Sequence, residues 1–274
     1  MKTDHWESHL PAGSTRYSQQ GGALQASNGN LSERTDTAQG VVSGDSKMRL
    51  FILGATGGIG SQLVEQALAR GHRVTALVRS PERMGRRHER LTILGGDPLD
   101  AEQLRRTLPD HDVVISAIGP TPRPGPSLAA IRILPKSRRL GNGLGGHTER
   151  SVHRDLARSL VPAMESAAVW RLAVVSSAFL FSDSPIPALV GRLFFHDTVK
   201  DITEMERIIV ASSLNWTIVR PPELTDGSRT GNYRIKDSHL PGFGFKVSRA
   251  DVADFMLREV EANGHLRKVV GVCY

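Results

Sequence analysis

Apolar residues arrive along this chain in two alternating spacings. Short unbroken runs lie at 49–53 (RLFIL), 73–78 (RVTALV), 91–97 (LTILGGD), 112–119 (DVVISAIG), 171–177 (RLAVVSS), 215–222 (NWTIVRPP) and 267–273 (RKVVGVC). Their length and β-branched content predict buried strands. Between them the apolar positions recur at helical spacing. Ile59, Leu63, Val64, Ala67 and Leu68 lie on one face, with Gly71 as a stop. Val152, Leu156, Leu160 and Met164 mark a helix within 150–168, and Val199, Ile202, Met205 and Ile209 another over 198–212. Asp100 is positioned to cap AEQLRRTL before Pro109, and SRAD (248–251) reads as a capping box opening a last helix. Strands that alternate with helices across short loops predict an α/β fold, a doubly wound parallel sheet covered on both faces.

Two segments lack either period. Residues 1–47 are rich in Ser, Gly, Gln and Asn, so they bury too little apolar surface to offset their ordering entropy; they are expected to form a disordered tail. A single compact domain is expected over 48–274. Within it, residues 120–148 are crowded with Pro, Gly and Arg, and a connection of that length is read as either a lid or a disordered insertion.

Composition narrows the class. Hydrophobic content of 39% and charged content of 23% suit a globular protein. A formal net charge of +7 favours an anionic partner, while 5% aromatics disfavour a nucleic-acid reader built on stacking. The one cysteine, Cys273, can close no disulfide within the chain, and no apolar run has the length of a membrane span. With no signal-peptide core at the N-terminus, a cytoplasmic protein is expected, with no metal, and either monomeric or a weak homo-oligomer.

The densest chemistry is in GATGGIG, where the first strand meets the first helix. The spacing Gly54-x-x-Gly57-x-x-Gly60 in that context is a dinucleotide fingerprint. Gly54 permits the tight turn, Gly57 lets backbone approach a pyrophosphate, and Gly60 lets the helix pack closely. The free N–H groups of the loop and helix start, from Thr56 through Gly58 and Ile59, then face negative charge. At the end of the second strand, where a carboxylate would bond the ribose hydroxyls of NAD, stands Arg79, with Arg83 soon after. Guanidinium groups match a 2′-phosphate, so NADP(H) is the expected cofactor. Asp97 is read either as an acceptor for the adenine amino group or as a turn residue. Ala117, Ile118 and Gly119 end the fourth strand, where backbone would line the ribose.

With these residues the chain resembles the atypical short-chain dehydrogenase/reductases, in particular the NAD(P)H-binding, NmrA-like group that includes biliverdin and flavin reductases. The carrying motifs are GATGGIG, ALVRSPER, GGDPLD, VVISAIG, VVSSAFL, WTIVRPPELTDG, TGNYRI and VSRADVADFML, in the family's order from about Met48 to Glu259. The resemblance implies a Rossmann fold, NADPH, and reduction of a flat conjugated acceptor such as a flavin, a quinone or a tetrapyrrole. It also implies cofactor-lining roles for Ser176 and Pro222, and gives Ser177 the place of the family's active-site serine. The chain departs from the family in its longer 120–148 segment, in Pro98, and in Glu223, which stands where the reductase has histidine.

The Tyr–Lys pair that relays protons in many short-chain dehydrogenases is missing. None of Tyr17, Tyr233 and Tyr274 has a lysine four residues on. Reduction of a conjugated acceptor demands less: stacking on the nicotinamide and any proton source. Ser177 is expected to orient an acceptor carbonyl, and Glu223 to donate a proton only if buried. Lys200 reads as part of a solvated face and His196 as a loop residue, and Tyr233 and Phe243 as either pocket wall or core. The expected function is an NADPH-dependent oxidoreductase acting on a small-molecule acceptor; the alternative is a non-catalytic NADP(H)-sensing regulator.

Overall fold

A computed structural model describes residues 47–119, 151–181, 196–242 and 244–274. The tail expected over 1–47, apart from Lys47, and the 120–148 insertion lie outside these residues, as does Phe243. No helix among them is long and apolar enough to cross a membrane.

Each apolar run forms its strand: β1 (Arg49–Leu53), β2 (Arg73–Val78), β3 (Leu91–Gly95), β4 (Val113–Ser116), β5 (Arg171–Val175), β6 (Asn215–Arg220) and, late in the chain, β10 (Lys268–Cys273). All seven pair in parallel, in the order β3-β2-β1-β4-β5-β6-β10. The helices are α1 (Gly58–Ala69), α2 (Ala101–Thr107), α3 (Val152–Ser166), α4 (His196–Val210) and α5 (Arg249–Ala262). The two faces of the sheet bury separate cores. Leu50, Ile52, Ile115 and Val270 pack with Leu63 and Val64 of α1 and Phe255 and Met256 of α5. Phe51, Leu53, Leu172 and Ile218 pack with Leu104 of α2, Leu160 and Met164 of α3, and Met205 of α4. This is the doubly wound Rossmann arrangement, with the crossover between β1 and β4 at its centre.

Three short strands are additions to the expected pattern. β8 (Arg234–Asp237) joins the edge antiparallel to β10, and β7 (Glu223–Thr225) pairs with β9 (Lys246–Ser248) in a separate two-stranded sheet. They are only three or four residues long, too short to carry an apolar run.

Several strands stop earlier than their apolar runs suggest. β3 ends at Gly95 because the Gln103 side chain donates to the Gly95 carbonyl at 2.8 Å and accepts from Asp97 N–H at 3.2 Å. β4 ends at Ser116, with one last ladder bond beyond it, from Ala117 N–H to the Leu53 carbonyl at 2.9 Å. β5 ends at Val175, so Ser177 caps a 3₁₀ turn (Ala178–Leu180) rather than closing the strand. β6 ends at Arg220, and Glu223 after the two prolines already belongs to β7.

The helix caps follow the sequence. Asp100 accepts from the N–H groups of Glu102 and Gln103, both at 3.0 Å. Ser248 Oγ accepts from Asp251 N–H at 3.0 Å, but the return bond of the box is absent; Ser248 N–H goes to the Tyr274 hydroxyl. The Asp251 carboxylate instead accepts from Tyr274, Thr230 and Gly231. α5 thereby anchors the 230–231 loop and the C-terminal Tyr274. Its next acid, Asp254, is fully buried and meets Arg70, Arg229, Arg258 and the Tyr233 hydroxyl. Its third, Glu259, holds Arg171 and His265.

Candidate active site

The C-terminal ends of β1, β4, β5 and β6 converge where ligands bind in sheets of this kind. At the centre is the glycine loop. Gly54 adopts φ +79°, which favours glycine, and a side chain there would press on the backbone of Ala117 and Ile118 at 2.7–2.8 Å. A Cβ on Gly60 would overlap the Gly54 carbonyl, so α1 seats directly on the loop only because Gly60 has no side chain. Gly57 is less constrained: its φ of −83° suits any residue, and a Cβ there would stand 3.2 Å from the Gly54 oxygen, a tight approach that a small shift relieves.

The loop leaves the start of α1 unsatisfied. Ser61 N–H to the Gly57 carbonyl (2.8 Å) is the first bond of the helix. The N–H groups of Gly58, Ile59 and Gly60 before it have no partner within the helix. Gly57 at the N-cap offers no side chain, and no acid stands in the first turn. Backbone donors and the positive end of a helix dipole are therefore free to meet an anion.

At the end of β2, Arg79 is exposed, as is Arg83 in the 3₁₀ turn Pro81–Met84, and neither has an ion pair or side-chain hydrogen bond among the described residues. Arg86 differs, since it pairs with Glu65 of α1 at 3.1 Å. Asp97 is exposed and serves the turn, accepting from Leu99 N–H at 3.0 Å through one oxygen. Ala117 and Ile118 are half-buried beside Gly54, with Gly119 exposed after them.

The two serines after β5 are in different circumstances. Ser176 Oγ donates to Glu206 of α4 at 2.5 Å, and its hydroxyl is thus committed inward. Ser177 Oγ accepts from Phe179 N–H at 3.3 Å, which leaves its own proton available to donate outward. Glu206 also receives Arg220, at the end of β6, through two bonds of 3.0 and 2.5 Å. Arg220 in turn donates to the Leu180 carbonyl at 3.0 Å and lies 4.9 Å from the centre of the Phe181 ring. This buried pair ties the ends of β5 and β6 to α4. Sequence reading missed it, because Glu206 and Arg220 lie on separate elements and no local pattern links them.

Pro222 is half-buried next to Pro221, whose carbonyl accepts from Ala178 N–H at 3.1 Å, so the proline pair backs the serine turn. Glu223 is exposed and pairs in register with Lys246. The burial that proton donation would need is absent there. Lys200 is exposed, as expected of a solvated face; His196 is exposed as well, but it is the first residue of α4 rather than a loop residue. Tyr233 packs edge-on against Phe255, and its hydroxyl donates to Asp254 at 2.9 Å. Burial first, and then that bond to Asp254, push its phenol pKa well up, which suits a structural tyrosine rather than a proton relay. Among the described residues no group of three or more His, Cys, Asp or Glu could hold a metal ion.

Arg249, at the start of α5, is a second residue not foreseen. Its side chain lies on Gly58, with Nε 2.8 Å from where a Cβ would be, and its guanidinium pairs with Asp226 at 2.6 Å.

Comparison with known proteins agrees with this fold. Reductase pytE of Aspergillus terreus is 25% identical over 271 residues, covering 82% of this chain and 96% of that one. The solved structure of ChuY, an anaerobillin reductase from Escherichia coli O157:H7, superposes with a TM-score of 0.62 at 22% identity, over 82% of this chain and 96% of that one. A short-chain dehydrogenase/reductase from Veillonella parvula DSM 2008, solved in complex with NADP, gives 0.63 at 19% identity, over 83% and 94%. The model of the NAD(P)H-binding family matches residues 54–263, from the first glycine of the loop to the end of α5, and this chain is a member of that family.

Proposed function

We propose that the protein is an NADPH-dependent reductase that delivers hydride to a flat, conjugated small-molecule acceptor. The observation that carries this reading is the pairing of an unsatisfied glycine cradle with two unpaired arginines at the end of β2. Residues 54–60 would hold the pyrophosphate, Arg79 and Arg83 the 2′-phosphate, and Ala117 to Gly119 the ribose, with Ser176 and Pro222 backing the nicotinamide end. Asp97 retains one carboxylate oxygen for the adenine amino group. The cofactor supplies the hydride when bound.

Ser177 orients the acceptor by donating its free hydroxyl proton to a carbonyl. With no Tyr–Lys pair at the site, the proton comes from water, which a conjugated acceptor tolerates. Glu223, exposed on β7, takes no part in that proton transfer. The names of similar proteins support reduction, and that of ChuY supports a tetrapyrrole-like acceptor. A cytoplasmic location suits such chemistry.

The reading is tested by following NADPH oxidation with flavins, quinones and biliverdin. Turnover of at least one, reduced about tenfold or more in Ser177→Ala, is expected for a lost transition-state hydrogen bond. Arg79→Asp should reverse the ratio of NADPH to NADH affinity. Tight NADPH binding without turnover of any acceptor would replace the enzyme with an NADP(H) sensor; an unmoved affinity ratio would overturn the 2′-phosphate assignment.

A further inference from the structure

The triplet Gly54, Gly57 and Gly60 answers the needs of the loop itself, but GATGGIG holds a fourth glycine. Gly58 does not share that spacing. What it accommodates is Arg249: a side chain at 58 would run into the Cδ and Nε of that arginine. The stem of Arg249 thus crosses the first residue of α1 and carries its guanidinium to the mouth of the glycine loop.

That is an unfavourable place for a cation on its own. Arg249 is the first residue of α5 and lies on the first residue of α1, so it faces the positive ends of two helix dipoles. The first turn of α1 contains no acid that could offset it. Its one ion-pair partner among the described residues is Asp226, whose side chain is 90% exposed, while that of Arg249 is 25% exposed. A guanidinium held in this position by a solvated carboxylate is poised to exchange it for a stronger anion.

We propose that Arg249 is a cofactor-binding residue that closes over the pyrophosphate of the dinucleotide from α5, and that Asp226 competes with the phosphate for it. This rests on the reading of the glycine loop given under Proposed function. Arg249 would act on the pyrophosphate common to NADPH, NADH and ADP-ribose, whereas Arg79 distinguishes the first from the other two. Gly58 is then the residue that gives Arg249 access.

The experiment measures dissociation constants of the full chain for NADPH, NADH and ADP-ribose by calorimetry, for wild type, Arg249→Met and Asp226→Asn. Methionine keeps the packing of the stem and removes the charge. Arg249→Met is expected to weaken all three ligands by a similar factor, about tenfold or more, the size of a lost charge-assisted hydrogen bond. Asp226→Asn is expected to tighten all three several-fold, which loss of a merely structural ion pair would not do. Unchanged affinities in Arg249→Met overturn the proposal, as does weaker binding in Asp226→Asn. Should Arg249→Met fail to fold, Asp226→Asn decides alone, because it leaves Arg249 in place and alters an exposed side chain. If the wild-type protein binds none of the three, the glycine-loop reading itself has failed. If the wild type binds them and Arg249→Met binds as well, only the inference about Arg249 has.

Discussion

The buried Arg220–Glu206 pair makes a quantitative demand on stability. The side chains are 14% and 9% exposed, and two hydrogen bonds join them. Arg220→Met keeps much of the apolar stem against Phe181 but leaves the Glu206 carboxylate with Ser176 as its remaining donor. Removing one member of such a pair strands a buried charge and costs about 3–5 kcal/mol. The Leu180 carbonyl also loses its donor. For a domain of this size each kcal/mol lowers Tm by about 2–4 °C, so a fall of roughly 6–20 °C is expected.

The double variant Arg220→Met/Glu206→Met separates charge from packing. With both charges gone, the stranded-ion term disappears. What is left is an unsatisfied Ser176 hydroxyl and Leu180 carbonyl, about 1–3 kcal/mol each. The double variant should therefore be much more stable than the sum of the single losses predicts, with a coupling energy of about 2 kcal/mol or more. Urea unfolding at pH 7 reads all four proteins, provided the slope of stability against denaturant stays constant. The reasoning is refuted if Arg220→Met costs less than about 1 kcal/mol, or if the two single effects simply add.

Two further perturbations test other parts of the frame. Gly60→Ala places a methyl group on the Gly54 carbonyl, so the start of α1 must shift; a loss of about 1–3 kcal/mol or more, together with lost dinucleotide affinity, is expected by urea unfolding and calorimetry. Asp251 is a fully buried carboxylate: burial pushes its pKa up, but bonds from Tyr274, Gly231 and Thr230 outweigh this and hold it below the usual range. Its contribution is therefore fully present above the unfolded value near about pH 4 and fades as pH falls through the lower folded value. The stability gap between wild type and Asp251→Asn should be wide at pH 7 and narrow in acid, and a gap that does not change with pH would refute the assignment.

How much of this was legible in the sequence depends on how far a cause lies from its effect. The seven parallel strands and five helices were legible because inner strands and amphipathic helices write their burial into adjacent residues. The small strands β7, β8 and β9 were not, since their pairing partners, rather than their side chains, make them strands. Strand ends were overestimated where a distant side chain intervenes: nothing within LTILGGD says that Gln103 will take the Gly95 carbonyl. The glycine loop was read correctly as a tight turn seating a helix, because Gly54, Gly57 and Gly60 are local to one another. The fourth glycine needed Arg249, far along the chain, to explain it.

The same division separates the two halves of the candidate site. Its cofactor half consists of backbone: a positive φ at Gly54, open N–H groups at the start of α1, and the close approach of Ala117. Those features follow from missing side chains, which a sequence displays openly. Its acceptor half depends on which of two adjacent serine hydroxyls is free. Ser176 and Ser177 are identical in sequence terms, and both follow β5. What distinguishes them is Glu206, which is held in place by Arg220 and takes the Ser176 proton inward, leaving the Ser177 hydroxyl free to donate outward. If Ser177 orients the acceptor as proposed, the choice between the two serines is made by an ion pair that need not touch the acceptor. On this reading, the Arg220 and Glu206 variants should disturb acceptor turnover even under conditions where they remain folded.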